Sequence, residues 1–486
     1  MRRRSIWALA AASVMPIASA HAGATYYVRT DGGTAQQCDG RHDAAWRAGD
    51  SHRACAWRHP FDALPPGGNA RIRGGDSLVI GPGSYAMGIE APGAGNAEKC
   101  RAEWPWDCHL SPLPSGPAAE QPTRILGAGF DRGCREPPQL WGTEHASTVL
   151  DLQGSSNLEI ACLEITDHSS CIEFHNGVSQ LDKCERDKPP YGPWASSGIS
   201  AADSANVQLR DIEIHGMAHD GIRAGRVRDW SLERVKLVAN GWAGWNGQVD
   251  GASSSDSGKL LFRDVEIAWN GCAERYPGRK HFGCWGQENG GYGDGLGTAA
   301  TGGEWIFDHV NVHHNTQDGI DLLHASAEAT ATFQNVDARA NAGNQLKAGG
   351  SVAVRNSQIA GMCAALAQTN GLDDADTCRA RGNAISLRLP ANGKDEIVDS
   401  NVSGEGDCLI DLECAGDGCA SGAVTVSGNR LEGALRAGSA SARPPCSLWV
   451  EPALGGAAIG FRHNRLRSLR NTDCPAAVEC SGNDAM

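Results

Sequence analysis

The stretch Leu209-Arg210-Asp211-Ile212-Glu213-Ile214, followed by Asp220-Gly221-Ile222-Arg223, decides the fold. Its first part runs apolar, two polar, apolar, polar, apolar, and that alternation is a strand pattern rather than a helical one. Copies return at 160–165, 232–237, 262–267, 307–312 and 333–338, with weaker ones at Val354, Val398, Val426 and Phe461. The nearest copies lie roughly 21 to 30 residues apart, a period that marks a solenoid. The second part recurs as Asp250-Gly251-Ala252-Ser253, Asp294-Gly295-Leu296-Gly297, Asp318-Gly319-Ile320-Asp321 and Asn344-Gln345-Leu346-Lys347. Asp-Gly reads as a turn that tolerates left-handed backbone. The next apolar residue then points inward and its neighbour outward. Each repeat is therefore a strand, a sharp turn and another strand. Helical patterns between the strands are scarce, and the blades of a propeller would repeat at ~40 residues. The expected fold is all-β: a right-handed parallel β-helix with disulfide-stapled loops and a C-terminal cap.

Composition narrows the partners. The 486 residues carry 43 Lys+Arg against 57 Asp+Glu, a formal net charge of -14. A phosphate binder needs a basic patch to release counterions, so nucleic acid is excluded as a partner, and an anionic membrane surface is no better match. Arg2, Arg3 and Arg4, the apolar run at 6–17 and the small residues Ala18, Ala20 and Ala22 read as a signal peptide over 1–22, too short to span a bilayer. The 18 cysteines all lie beyond it. An even count in an exported chain implies disulfides and a secreted or periplasmic location. Cys272–Cys284 and a loop stapled by Cys100 and Cys108 are the expected pairings. Cys414 and Cys419 are close enough to chelate, but no C-x2-C pair stands beside a second one, which disfavours zinc. The organisation expected is a signal peptide at 1–22, a β-helix at 23–360 with inserted loops at about 99–121 and 273–293, and a Cys-rich continuation and cap at 361–486. The chain is expected to work as a monomer.

The chemistry has to be read across coils. Successive coils of a β-helix lie ~4.8 Å apart, so residues in one column become neighbours. Aligning the turns puts Asp294, Asp318 and Asn344 in one column, and Gly297, Asp321 and Lys347 in a second. A cluster of Asp294, Asp318 and Asp321 on a rigid sheet is unfavourable unless a cation binds it. Hard oxygen ligands select Ca2+ over softer metals. Asp220 and Asp250 read as plain turn residues. His313 falls in an outward strand column and His314 in a turn, which argues against a zinc or copper site.

The run Gly293-Asp294-Gly295-Leu296, Gln317-Asp318-Gly319-Ile320-Asp321-Leu322 and Gly343-Asn344-Gln345-Leu346-Lys347-Ala348-Gly349-Gly350 resembles the core of the family 9 polysaccharide lyases, calcium-dependent pectate lyases built on a right-handed β-helix. Gly75-Asp76-Ser77-Leu78-Val79-Ile80-Gly81-Pro82-Gly83 likewise resembles the first-coil motif of secreted β-helix proteins. The resemblance covers roughly residues 291–355. It implies that Asp294, Asp318 and Asp321 hold calcium and that Lys347 is the base. Where the family carries Asp-Asp-Gly, this chain has Gln317-Asp318-Gly319. Gln317 offers calcium a neutral oxygen, and the loss of one charge should weaken binding. The implied reaction is β-elimination on a uronate polymer, an acidic polysaccharide, with Arg223, His324 and Arg355 as candidate substrate contacts. Paired carboxylates could instead hydrolyse a glycoside, but Asp321 faces a lysine, which disfavours a proton-donating acid. The alternative from a different class is a secreted, non-catalytic β-helix that binds carbohydrate or acts as a scaffold, with Trp242, Trp245, Trp285 and Tyr292 stacking on sugar rings.

Overall fold

The computed structural model describes residues 23–49, 52–173, 183–249, 251, 253–284, 293–366, 382–435, 443–470, 474–475 and 477–485. The expected signal peptide, Asp250, Trp285 and Tyr292 lie outside the described residues.

The chain winds as a parallel β-helix with three faces. Two of them form one 24-stranded sheet that bends along its length, and the third is a separate 10-stranded sheet. On the third face the strands Ala146–Asp151, Ala195–Ala202, Asp220–Gly225, Ala243–Asn246, Leu296–Gly297, Ile320–Leu322, Leu346–Gly349, Ile385–Leu389, Cys408–Cys414 and Cys446–Val450 stack in parallel. Alternation sets what faces where. Ile320, Leu322, Leu346 and Ala348 are fully buried, whereas Asp321 and Lys347 between them point out. Inside, identical side chains stack coil on coil. The rings of Phe262, Phe307 and Phe333 follow one another at 4.9 Å per step, the spacing of the strands themselves. Burying each such ring stabilises the fold by ~2–3 kcal/mol.

Two corners are made by different devices. Between the first and second faces a single left-handed residue turns the chain, as at Asp211, Arg234, Asp264, His309 and Asn335, with φ between 53° and 56°. The corner leading to the third face is held by buried asparagines. Asn240, Asn270, Asn315 and Asn341 each pass an Nδ2–H to the Oδ1 or Oε1 of the next member, at 3.0, 2.8, 2.8 and 2.8 Å, ending on Gln345. Three of the Asp-Gly pairs are therefore not left-handed turns: neither residue of the pairs at 220, 294 or 318 has positive φ, whereas Gly251 has a φ of 64°. The glycines of those three are required by close packing instead. A Cβ at Gly295 would stand 2.4 Å from the Gly319 carbonyl oxygen, and one at Gly319 would stand 2.4 Å from that of Gln345.

The described cystines are Cys38–Cys55, Cys100–Cys108, Cys134–Cys162, Cys171–Cys184, Cys272–Cys284, Cys408–Cys446, Cys414–Cys419 and Cys474–Cys480. Cys414 and Cys419 are joined to each other, which removes them as zinc ligands. None of the described cysteines is free, and no helix among the described residues is long and apolar enough to cross a membrane. This cystine content is consistent with a secreted or extracellular protein. Within the insertion after Cys272, Ala273–Arg275 and Lys280–Phe282 pair as an antiparallel hairpin. It docks on the second face, where His215 Nδ1 meets Glu274 Oε1 at 3.0 Å and Nε2 meets Glu164 Oε1 at 3.0 Å. Beyond residue 382 the first two faces continue through Val478–Ser481 and Asp484–Ala485, whereas the last described strand of the third face is Cys446–Val450.

Candidate functional site

The two columns read from the sequence are present in the register. Gly297 pairs with Asp321, and Asp321 pairs with Lys347. Because these are consecutive strands of the third face, the side chains of Asp321 and Lys347 project side by side. Asp318 sits at the turn just before its strand, anchored by two neighbouring coils. Its backbone N–H donates to Asp294 Oδ1 at 3.0 Å, and its own Oδ1 accepts from Asn344 Nδ2 at 3.0 Å. Lys347 Nζ then donates to Asp318 Oδ2 at 3.0 Å and to Asp321 Oδ2 at 2.8 Å. Asp321 Oδ1 accepts from the Leu323 N–H at 2.9 Å, which fixes that carboxylate.

Electrostatics follow from the count of three carboxylates and one ammonium in a largely buried cluster. Asp294 and Asp318 are buried. Burial, and then the charges of Asp318 and Asp321, push the Asp294 carboxyl well above the usual carboxylate range. Burial also raises Asp318, to about 6, against the pull of Lys347. Burial by itself would lower the Lys347 ammonium, but Asp318, Asp321 and Asp294 outweigh it and hold the group above its ordinary range. Lys347 is a charged lysine in this arrangement.

The oxygens of the cluster are of the chemical type that a hard divalent cation takes. They are carboxylates, the ammonium of Lys347 stands in for a cation between Asp318 and Asp321, and the cluster still carries excess negative charge. Gly297 packs directly against Asp294: a Cβ there would lie 2.5 Å from Asp294 Oδ2, so the carboxylate occupies the space that a side chain would take. Gln317 is buried next to Asp318. Among the described residues no three His, Cys, Asp or Glu side chains stand ready around one metal position. The carboxylates are closed on Lys347 instead.

The remaining candidates divide. His324 lies in the turn after Asp321, where partial burial, and then the charges of Arg388 and Lys347, hold its ring below the ordinary range. Arg223 lies in the same outward column, but three strands away, through Asn246 and Gly297. Arg355 is elsewhere. The corner at Gly349–Gly350, where Gly350 has a φ of 85°, carries the chain to the first face, and Arg355 pairs there with Glu396 at 2.6 Å. It cannot contact substrate beside Lys347. Trp245 is fully buried between Trp230 and Phe262 and is no platform for a sugar. Asp220 is more than a turn residue: it is wholly buried and accepts from Asn246 Nδ2 at 3.2 Å, with His219 Nδ1 at 2.8 Å. Sequence reasoning missed Asp411, which continues the Lys347 column through Ser386. Burial and the charges of Glu413 and Glu451 raise its carboxyl to about 6. The signal was the alternation of Ile385-Ser386-Leu387-Arg388-Leu389.

No protein-family profile matches the chain, and no curated protein matches it in sequence. Solved structures are similar to it at low identity over much of the chain. The crystal structure of the pectate lyase Pel9A is 14% identical over 96% of this chain and 80% of that one, with a TM-score of 0.41. The A-module of the Azotobacter vinelandii mannuronan C-5 epimerase AlgE6 is 12% identical over 84% and 90%, with a TM-score of 0.35. An alginate lyase from Paenibacillus sp. str. FPU-7 is 13% identical over 85% and 93%, with a TM-score of 0.30. These likenesses are weak, and the parallel β-helix stands on the chain's own strand register.

Proposed function

We propose that this chain is a calcium-dependent polysaccharide lyase that cleaves a uronate polymer by β-elimination. The observation that supports it is the placement of Lys347 Nζ, outward on a rigid sheet and oriented by Asp318 and Asp321 at 3.0 and 2.8 Å. Asp294, Asp318 and Asp321 would hold the cation, and Gln317 could add a neutral oxygen. Calcium, when bound, supplies positive charge that offsets these carboxylates and that of a uronate. Lys347 acts as base only after losing its proton, which the uncompensated carboxylates now oppose. Its neutral amine takes the C5 proton. The C5–H electron pair becomes the C4–C5 double bond, the C4–O bond breaks, and the leaving oxygen takes a proton from water. Asp321, fixed by the Leu323 N–H, keeps Nζ aimed along the column.

The test is absorbance of the unsaturated uronide, with a panel of uronate polymers, in calcium and in chelator. Wild type should form product only in calcium, and Lys347→Ala should lose at least ~1000-fold of the rate. Product that persists in Lys347→Ala would sink the assignment of the base.

One observation favours a second reading, a carbohydrate-binding module. Lys347 is held charged, and a charged lysine anchors a carboxylate rather than removing a proton. That reading predicts binding of polyuronate without product in either condition.

A further inference from the structure

The third face carries a second concavity, away from the Asp–Lys cluster. It encloses about 660 Å3 and is lined by Trp106, His145, Glu173, His219, Arg223 and Trp242, among others. That volume falls within the ~300–1,000 Å3 usual for small-molecule sites.

Its back wall holds polar atoms that lack partners. Glu173 is 6% exposed; its Oε1 meets Arg186 Nε at 3.2 Å, and its Oε2 has no hydrogen bond among the described residues. His145 is equally buried, and its Nδ1 also has none. Buried polar atoms in folded proteins are almost always satisfied, so two unsatisfied ones at the back of one cavity point to a ligand with hydroxyl groups. The side walls are aromatic. The His219 ring stacks on Trp242 at 3.9 Å, and Trp106 stands edge-on to His145 at 5.9 Å. Aromatic walls with a few polar atoms suit the mixed apolar and hydroxyl surface of a sugar ring. At the mouth is Arg223, exposed and without an ion pair or hydrogen-bonded side chain among the described residues. A guanidinium fork of this kind matches a carboxylate with two parallel hydrogen bonds.

We propose that this cavity is a distal subsite that takes one carboxylated sugar ring of an acidic polysaccharide, with Arg223 on the carboxylate and Glu173 and His145 on hydroxyls. The proposal rests on the lyase reading for the identity of the polymer but not for its own chemistry. Arg223 shares a column with Asp321, three strands away, and Lys347, four strands away, so a chain lying along that column spans about 14 to 19 Å between the two places. A long substrate reaches both; a disaccharide reaches only one.

The experiment is isothermal titration of Lys347→Ala, which holds substrate uncut, with hexamers of galacturonate, mannuronate and guluronate, a uronate dimer, and cellohexaose as the neutral control. Arg223→Ala and Arg223→Lys are then made in that background, and circular dichroism checks that they fold. At least one hexauronate should bind, and Arg223→Ala should raise its Kd about tenfold or more. Arg223→Lys should recover only part of the loss. Cellohexaose should bind weakly and indifferently to Arg223. Equal hexamer affinity with and without Arg223, or no hexauronate binding at all, overturns the subsite. Its failure is separable from that of the lyase: product from wild type with no Arg223 effect sinks only the subsite, whereas an Arg223-dependent Kd with no product sinks only the lyase.

Discussion

Gln317 stands where a fourth carboxylate would put the cluster further into charge excess. Asp294 is already pushed well above its ordinary range by burial and by Asp318 and Asp321. An added charge should therefore cost stability in the absence of a cation and tighten binding of one. Gln317→Asp is expected to bind calcium about tenfold more tightly by titration calorimetry, and to melt below wild type in chelator. A lower melting temperature without tighter binding would show that Gln317 lies outside the cation's shell. At this scale the sequence was informative wherever an Asp-Gly or Asn-Gln pair marked the turn. Asp318, Asp321 and Lys347 could be aligned because those anchors recur at near-constant spacing. Arg355 could not be placed, since nothing in its own neighbourhood says that Gly349–Gly350 is a corner and not a continuing strand. Asp411 was hidden because the residues between Leu346–Gly349 and Ile385–Leu389 break the period.

The elements are held by side-chain ladders as much as by strands. Asn315 accepts from the backbone N–H of Asn270 at 3.1 Å, donates to the Ile267 carbonyl at 3.2 Å, and donates to Asn341 at 2.8 Å. Asn315→Ala leaves several of these buried groups without partners, at ~1–3 kcal/mol each. A total loss of about 4 kcal/mol is expected by urea denaturation followed by circular dichroism; a loss under ~1 kcal/mol would mean that water replaces the ladder. The docked hairpin gives a pH dependence. Burial alone would lower the His215 ring, but its hydrogen bonds to Glu164 and Glu274 raise it to about 9, from an ordinary 6.5. A raised folded-state value stabilises fully below pH ~6.5 and is lost as pH climbs through 9, on the order of 3 kcal/mol. The urea midpoint of wild type should fall between pH 6.5 and 9.5, and that of His215→Gln should be lower and flatter over the same range. Equal slopes would exclude His215. The repeat was legible as strands because the alternation is strict, but not the corner inside it. Asp211 is left-handed within the copy that looked like one straight strand. A left-handed residue in an outward position changes the path without disturbing the inward apolar pattern.

The whole molecule is acidic, with a net charge of -14, and the polymer proposed for it is acidic too. Diffusional encounter of like charges is slowed, and salt screens the repulsion over a Debye length of ~10 Å at 0.1 M. The association rate with a polyuronate should therefore rise with sodium chloride up to ~0.1 M, measured by stopped flow on Lys347→Ala. A rate that falls with salt would mean that a local cationic groove around Arg223 governs encounter instead. The described cystines are all short-range, from 5 to 38 residues apart. None of these bridges needs the two ends of the chain to meet. Each thiol finds its mate close by along the chain, with little loop-closure entropy to overcome. Reoxidation of the reduced chain should accordingly yield few scrambled isomers and depend little on a disulfide isomerase.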